Sequence, residues 1–183
     1  MEWVFAFGSN MHLADLRRWL GERGYATDDI HAAVPARLAG YELVWDYYSP
    51  PRRGGAANIQ PASERTLYGV ALQVGPNAWR GIDHKEGHPH RYHRGAQPQR
   101  LELADGHSVA AWVYRVQPAF RWPYFIPPRR NYLQLMLEAA VALDLPDAHI
   151  NALRRVTVLE DHPGGEQLAQ SLAARLDAQV SGS

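Results

Sequence analysis

Trp3-Val4-Phe5-Ala6-Phe7-Gly8-Ser9-Asn10-Met11 is the stretch on which the fold turns. An apolar, aromatic run from Trp3 to Phe7 stops at a glycine, which reads as a buried strand ended by a turn. From His12 to Glu22 the apolar residues Leu13, Leu16, Trp19 and Leu20 then recur at helical spacing, and Gly21 and Gly24 close the segment. Gly8-Ser9-Asn10 joins strand to helix. Glycine permits a tight turn and close backbone approach, Ser9 or Asn10 can cap the helix, and the N–H groups of a helix start attract anions. Taken alone, the tripeptide is an ordinary capped turn.

Outward from this unit, Val34 to Tyr48 reads as a long strand with a bend at Gly40, and Ser49 to Gly55 as a loop. Ala56 to Gln60 and Thr66 to Val74 read as two short strands around a polar turn. Gly75-Pro76-Asn77 opens a short helix with proline near its first turn; this helix carries Trp79 and Ile82 inward and ends near Gly87. Tyr92 to Leu103 and Ser108 to Val116 form a hairpin pattern joined by Asp105-Gly106, a favoured turn pair. Arg121 to Arg130 is an aromatic, proline-rich loop. Leu133 to Leu143 is apolar on most sides and reads as a core helix. Asp147 to Arg155 and residues 165–178 are amphipathic helices, the second with no evident place in the fold, and residues 179–183 are expected to fray. There is no internal repeat and no linker, so one domain is expected over 1–183. The fold class is α+β: a small, mixed, strongly curved, barrel-like sheet with helices packed outside.

Composition narrows the function. Among 183 residues, 46% are hydrophobic and 21% charged, ordinary for a globular protein. Lys plus Arg and Asp plus Glu are both 19, so no global charge draws the chain to nucleic acid or an anionic membrane. With no cysteine there is no disulfide, no thiolate-bound zinc and no thiol nucleophile. The first residues have no basic region of a signal peptide and no apolar run approaches a membrane span; the expectation is a cytosolic protein with no membrane partner.

Asp83-His84-Lys85-Glu86-Gly87 holds a carboxylate in the last turn of the second helix, if Gly87 lies just past its end. The helix dipole disfavours an anion there, and partial burial would raise its pKa toward the range useful for proton transfer. The plain alternative is a solvated glutamate. His84, His88, His90 and His93 crowd the same region, but without a His-Glu-x-x-His pattern, and with Pro89 breaking the register, they read as a histidine-rich loop and not a metal site. Arg52-Arg53 and Arg129-Arg130 each follow a proline pair with aromatics near by in sequence. They fit a cleft for a carboxylate, a single-stranded nucleic-acid surface, or two solvated loops. No phosphate loop or Gly-x-Ser-x-Gly motif occurs.

In order along the chain, these pieces resemble the gamma-glutamylcyclotransferase-like family. Phe5 to Met11 is similar to its Tyr-Gly-Ser-Asn-Leu signature, with Phe7 in place of the tyrosine. Ala36 to Tyr41, Ala56 to Ile59 and Leu67 to Leu72 resemble its following strands. Ile82 to Gly87 with Tyr92 and Arg94 resembles the segment bearing its catalytic glutamate, and Pro128, Tyr132 and Leu145-Pro146 its late helical region. The resemblance implies a cyclotransferase on a gamma-glutamyl amide or dipeptide, in which the α-amine attacks the γ-carbonyl to give 5-oxoproline and a free amine. It implies Glu86 as catalytic acid/base, Phe7, Gly8, Ser9, Asn10, Met11, Tyr92 and Tyr132 as substrate-binding residues, and no metal or cofactor. The alternative is a protein of the same fold acting on a different amide or binding a small metabolite. The oligomeric state, monomer or homodimer, stays open.

Overall fold

The computed structural model describes residues 1–181, with side chains through residue 177. Its first strand, β1 (Glu2–Ala6), pairs antiparallel with β3 (Gly54–Val74), from Glu2 opposite Val74 to Ala6 opposite Val70. β3 in turn pairs with β2 (Ile30–Ser49), β2 with β5 (Gln99–Leu103), and β5 with β6 (Ser108–Val113). β6 closes the circle by running parallel to β1, with Trp3 opposite Ala111 and Phe5 opposite Val113. The result is a closed, mixed barrel in the order β1-β3-β2-β5-β6. Its inner face carries Phe5, Ala71, Leu101 and Ala111, each at most 1% exposed. Closure leaves no open sheet edge. This is the α+β barrel expected from the alternation of short strands and helices.

Two departures from the sequence reading have local causes. Residues 56–60 and 66–74 are not separate strands but parts of one continuous β3. The polar residues between them swell out as a bulge: Ala39 faces Thr66 while Tyr41 already faces Pro61, so Gly40 alone opposes the four residues 62–65. The polarity read as a turn marks residues that stand away from the core; Glu64 and Arg65 are exposed. The expected strand 92–103 is broken, because Gly95 and Pro98 interrupt it. Its ends become β4 (Tyr92–His93) and β5; likewise Ser108 to Val116 divides into β6 and β7 (Arg115–Val116), and β4 and β7 pair as a separate ribbon. The Asp105-Gly106 turn forms as read, with Leu103 N–H donating to His107 O at 2.8 Å.

The helices pack outside. α1 (Leu13–Gly21) buries Leu16 and Leu20, and α2 (Pro76–Glu86) buries Ala78 and Ile82. α3 (Arg130–Ala142) inserts Leu133, Met136 and Ala140, and α4 (Asp147–Arg154) adds Ile150 and Leu153. α5 (Gly165–Ser181), the helix without a place in the sequence reading, seats Ala169, Leu172 and Leu176 on a second apolar cluster with Tyr48, Ile126 and Leu159. The helix continues through 179–181, where fraying was expected; the rest of that expectation falls on Gly182 and Ser183, outside the described residues. No described helix is long and apolar enough to cross a membrane.

Candidate active site

The first loop does not cap α1. His12 does, its Nδ1 accepting from Asp15 N–H at 3.2 Å. Ser9–Met11 instead forms a separate 3₁₀ turn, in which Met11 and His12 N–H are spent on the carbonyls of Gly8 and Ser9. Because neither Ser9 nor Asn10 is used as a cap, both side chains are free to face a cavity of about 630 Å³. Asn10 Nδ2 donates to Glu86 Oε1 at 2.6 Å. Ser9 Oγ accepts from Arg52 Nη2 at 3.2 Å. Residues 76 positions apart thus meet across one hollow.

Glu86 is the last residue of α2. Gly87, with φ of 65°, turns the chain away in the left-handed region that glycine enters freely, and its N–H and that of His88 close the helix on His84 O and Asp83 O. The glutamate is half-buried by surface area because water reaches it through the cavity, yet protein packs densely around it. That burial pushes its carboxyl up from 4.5 to about 7, against the opposing pull of Lys85, the Asn10 hydrogen bond and Arg52. The sequence argument named the helix dipole and partial burial; burial is the largest cause.

Two phenols complete the floor. Tyr92 Oη donates to Ala57 O at 2.8 Å, and Tyr132 Oη accepts from Ala57 N–H at 3.2 Å, so both grip one residue of β3. Burial raises both phenols well above any working pH, which keeps them neutral hydrogen-bonding groups. Gly8 lies against Tyr132: a Cβ there would come within 2.9 Å of its hydroxyl. Phe7, Gly8, Ser9, Asn10, Tyr92, Tyr132 and Glu86 therefore share one cavity. Met11 does not line it and is packed in the core behind the loop.

Sequence reasoning left three neighbours unassigned. Arg52, one of a basic pair read three ways, sits over the Tyr132 ring at 5.0 Å from its centroid. Lys85 Nζ is buried 3.7 Å from Asp15 Oδ2 with no hydrogen-bond partner, and burial lowers its pKa. Arg91 lines the cavity beside Tyr47. For Lys85 and Arg91 no local pattern gives a signal, since Lys85 becomes notable by its burial beside Asp15 and Arg91 by a buried donor without a hydrogen-bond partner. Arg129 and Arg130 are spent on Glu166 and Asp161. Of the histidines, His84 turns to Tyr25 Oη and the edge of Trp19. Among the described residues no three His, Asp or Glu side chains gather into a group able to hold a metal.

A family model for gamma-glutamyl cyclotransferase, AIG2-like proteins matches residues 4–139. The chain belongs to that family. Solved structures of the gamma-glutamyl cyclotransferase fold agree in shape at low identity. One, itself a gamma-glutamyl cyclotransferase, aligns with a TM-score of 0.69 at 17% identity over 93% of this chain and 98% of its own. An uncharacterized human protein, loc79017, aligns at 0.68 and 19%, covering 92% and 98%. A yeast gamma-glutamyl cyclotransferase specific to glutathione aligns at 0.56 and 13%, covering 83% and 93%. No curated protein matches in sequence. The match to the AIG2-like family spans β1 through most of α3, and so includes every element that contributes to the cavity floor.

Proposed function

We propose that this chain converts a gamma-glutamyl amide or dipeptide to 5-oxoproline and a free amine, with Glu86 as the single proton carrier. The observation that carries the reading is the Glu86 carboxyl, raised to about 7 and held 2.6 Å from Asn10 inside the cavity. A carboxyl near 7 is about half ionised at neutral pH, so it takes a proton from the substrate's α-ammonium less steeply uphill than one at 4.5.

The freed α-amine attacks the γ-carbonyl carbon of the same molecule. Glu86 gives that first proton to solvent in the open cavity; as the new C–N bond closes a five-membered ring and the carbonyl electrons move to oxygen, it takes the second proton from the ring nitrogen. Collapse re-forms the carbonyl and expels the amine, which takes the proton Glu86 carried. Because nucleophile and electrophile are already tethered, the protein need only hold the curled conformer; effective molarities for such reactions reach roughly 10⁵ M or more. In this scheme Ser9, Asn10 and the Gly8 backbone hold the glutamyl end, and Arg52 faces its α-carboxylate. Tyr92 and Tyr132 fix the Ala57 strand edge that forms the floor, Phe7 walls the hollow, and Met11 backs the loop.

The test is release of 5-oxoproline from a panel of gamma-glutamyl amines and dipeptides. Glu86→Gln keeps the shape and removes the base, and turnover is expected to fall by a factor of about 10² or more. Unchanged turnover in that variant removes Glu86 from the chemistry.

A further inference from the structure

The chain as a whole is electrically neutral, yet its cavity is not. At the rim, Arg18 pairs with Asp15 and Glu22, and Arg23 with Glu22. Deeper in, Arg52 and Arg91 have no carboxylate partner among the described residues. Arg52 has at least Ser9 Oγ and the face of Tyr132. Arg91 has less. Its guanidinium lies over Phe120, 5.3 Å from the ring centroid, and against the Tyr47 hydroxyl, but Nη1 is buried without any hydrogen-bond partner. A buried, charged donor left unmade is costly and is uncommon where no ligand comes to it.

The two arginines are not one site. Arg52 touches Tyr132, Tyr132 and Tyr92 both grip Ala57, the Tyr92 ring meets Tyr47 at 5.3 Å, and Tyr47 meets Arg91. A ligand that occupies the hollow can therefore present one anionic group to each. Under the proposed reaction the glutamyl half supplies only one, its α-carboxylate, and Arg52 beside the first loop takes it. The second must come from the other half of the molecule.

We propose that Arg91 is a specificity-determining residue that binds a carboxylate on the amine half, so that the preferred substrates are gamma-glutamyl amino acids or peptides and not gamma-glutamyl alkylamines. This rests on the cyclotransferase reading above. Tyr47 buttresses the guanidinium, and Phe120 shields its outer face from water, which strengthens a charge-assisted contact. Arginine suits the task because its planar fork meets a carboxylate with two donors.

The test compares gamma-glutamylalanine with gamma-glutamylethylamide, which carries a hydrogen in place of that carboxylate and is otherwise the same. The wild-type ratio of kcat/KM is expected to favour gamma-glutamylalanine by about 10²-fold, the scale of a buried charge pair. In Arg91→Met the ratio is expected to collapse to within a few-fold of one, and in Arg91→Lys to fall between. A wild-type ratio near one, or a ratio unmoved by Arg91→Met, overturns the assignment. If neither compound is turned over, the cyclotransferase reading fails, and the subsite is still decided by calorimetric titration of the same pair into the wild-type protein. Tighter binding of gamma-glutamylalanine that Arg91→Met abolishes upholds it; equal binding of both, or of neither, overturns it.

Discussion

Replacing Glu86 with glutamine is expected to make the protein more stable while removing its activity. A carboxyl moved from 4.5 to about 7 favours its neutral form in the folded state by roughly 3 kcal/mol, at about 1.36 kcal/mol per pKa unit. The sign follows from linkage. The folded protein holds the proton more tightly than the unfolded chain, so this contribution is complete below about 4.5 and is lost as pH rises through about 7. Above that, the ionised glutamate is a net cost. Part of it is screened because the cavity admits water, which leaves about 1–3 kcal/mol for a neutral isostere to recover. Glutamine keeps an oxygen for the Asn10 amide, so that contact is not lost. For a chain of this size the gain corresponds to a rise in Tm of about 3–8 °C at pH 8. At pH 4.5–5 the difference shrinks toward zero. Thermal melts of both proteins at the two pH values, with 5-oxoproline release measured alongside, check the reasoning. A variant that melts at the same or a lower temperature at pH 8, or shows the same offset at both pH values, refutes the claim that burial holds this carboxyl up.

The Asn10 amide stabilises the Glu86 anion, so Asn10→Ala should move the acid limb of the kcat/KM profile upward from about pH 7; a limb that stays put, or moves down, removes that contact from the chemistry. Gly8→Ala places a methyl 2.9 Å from Tyr132 Oη and should lower kcat/KM more than 10-fold, with a Tm loss of only a few degrees; full activity would show that the loop can shift without cost. Asn58, 1% exposed, donates to Asp46 Oδ1 at 2.9 Å and accepts from Val116 N–H at 2.9 Å. Asn58→Leu strands both partners and should cost about 2–4 kcal/mol in urea unfolding, whereas a loss under about 1 kcal/mol would mean that water replaces the amide.

What the sequence made legible and what it hid divide along physical lines. Pro76 and Gly87 bound α2 because each solves a backbone problem that any sequence must solve locally, and Glu86 could be placed in its last turn for that reason. The apolar run of β1 and the Asp105-Gly106 pair carried the barrel strands in the same way. The cap of α1 was not legible, because Ser9, Asn10 and His12 all can serve and only the demand of the cavity for Ser9 and Asn10 decides between them. Continuity of β3 was hidden because a bulge and a turn have the same polar composition. The seat of α5 was hidden too: its partners Tyr48, Ile126 and Leu159 come from three distant segments. Arg52 carried a sequence signal but an ambiguous one. Lys85 and Arg91 carried none, since a buried charge is a property of the folded surroundings and not of the residue.

That last class of residue explains how the site is held. A half-solvated glutamate at about 7, a buried ammonium and a guanidinium with an idle donor all press toward relaxation, and a soft frame would let them turn to water. The frame is not soft. Asp29 caps α2 from outside the helix, its carboxylate accepting from Asn77 N–H at 2.8 Å and Ala78 N–H at 3.0 Å. One turn before Glu86, Asp83 is held by both Arg94 and the Tyr114 hydroxyl, and Tyr114 accepts from Trp79 Nε1 at 3.2 Å. The helix is thus pinned at its start by Asp29 and near its end by Asp83, Arg94 and Tyr114, of which Tyr114 also lines the cavity. On the opposite wall, the first loop is pinned by the His12 cap and by the close approach of Gly8 to Tyr132. Hydrogen bonds made largely behind the walls hold Glu86 and the idle Arg91 donor in place inside the hollow, which is the arrangement a site needs if its polar groups are to be answered by a ligand and not by the protein itself.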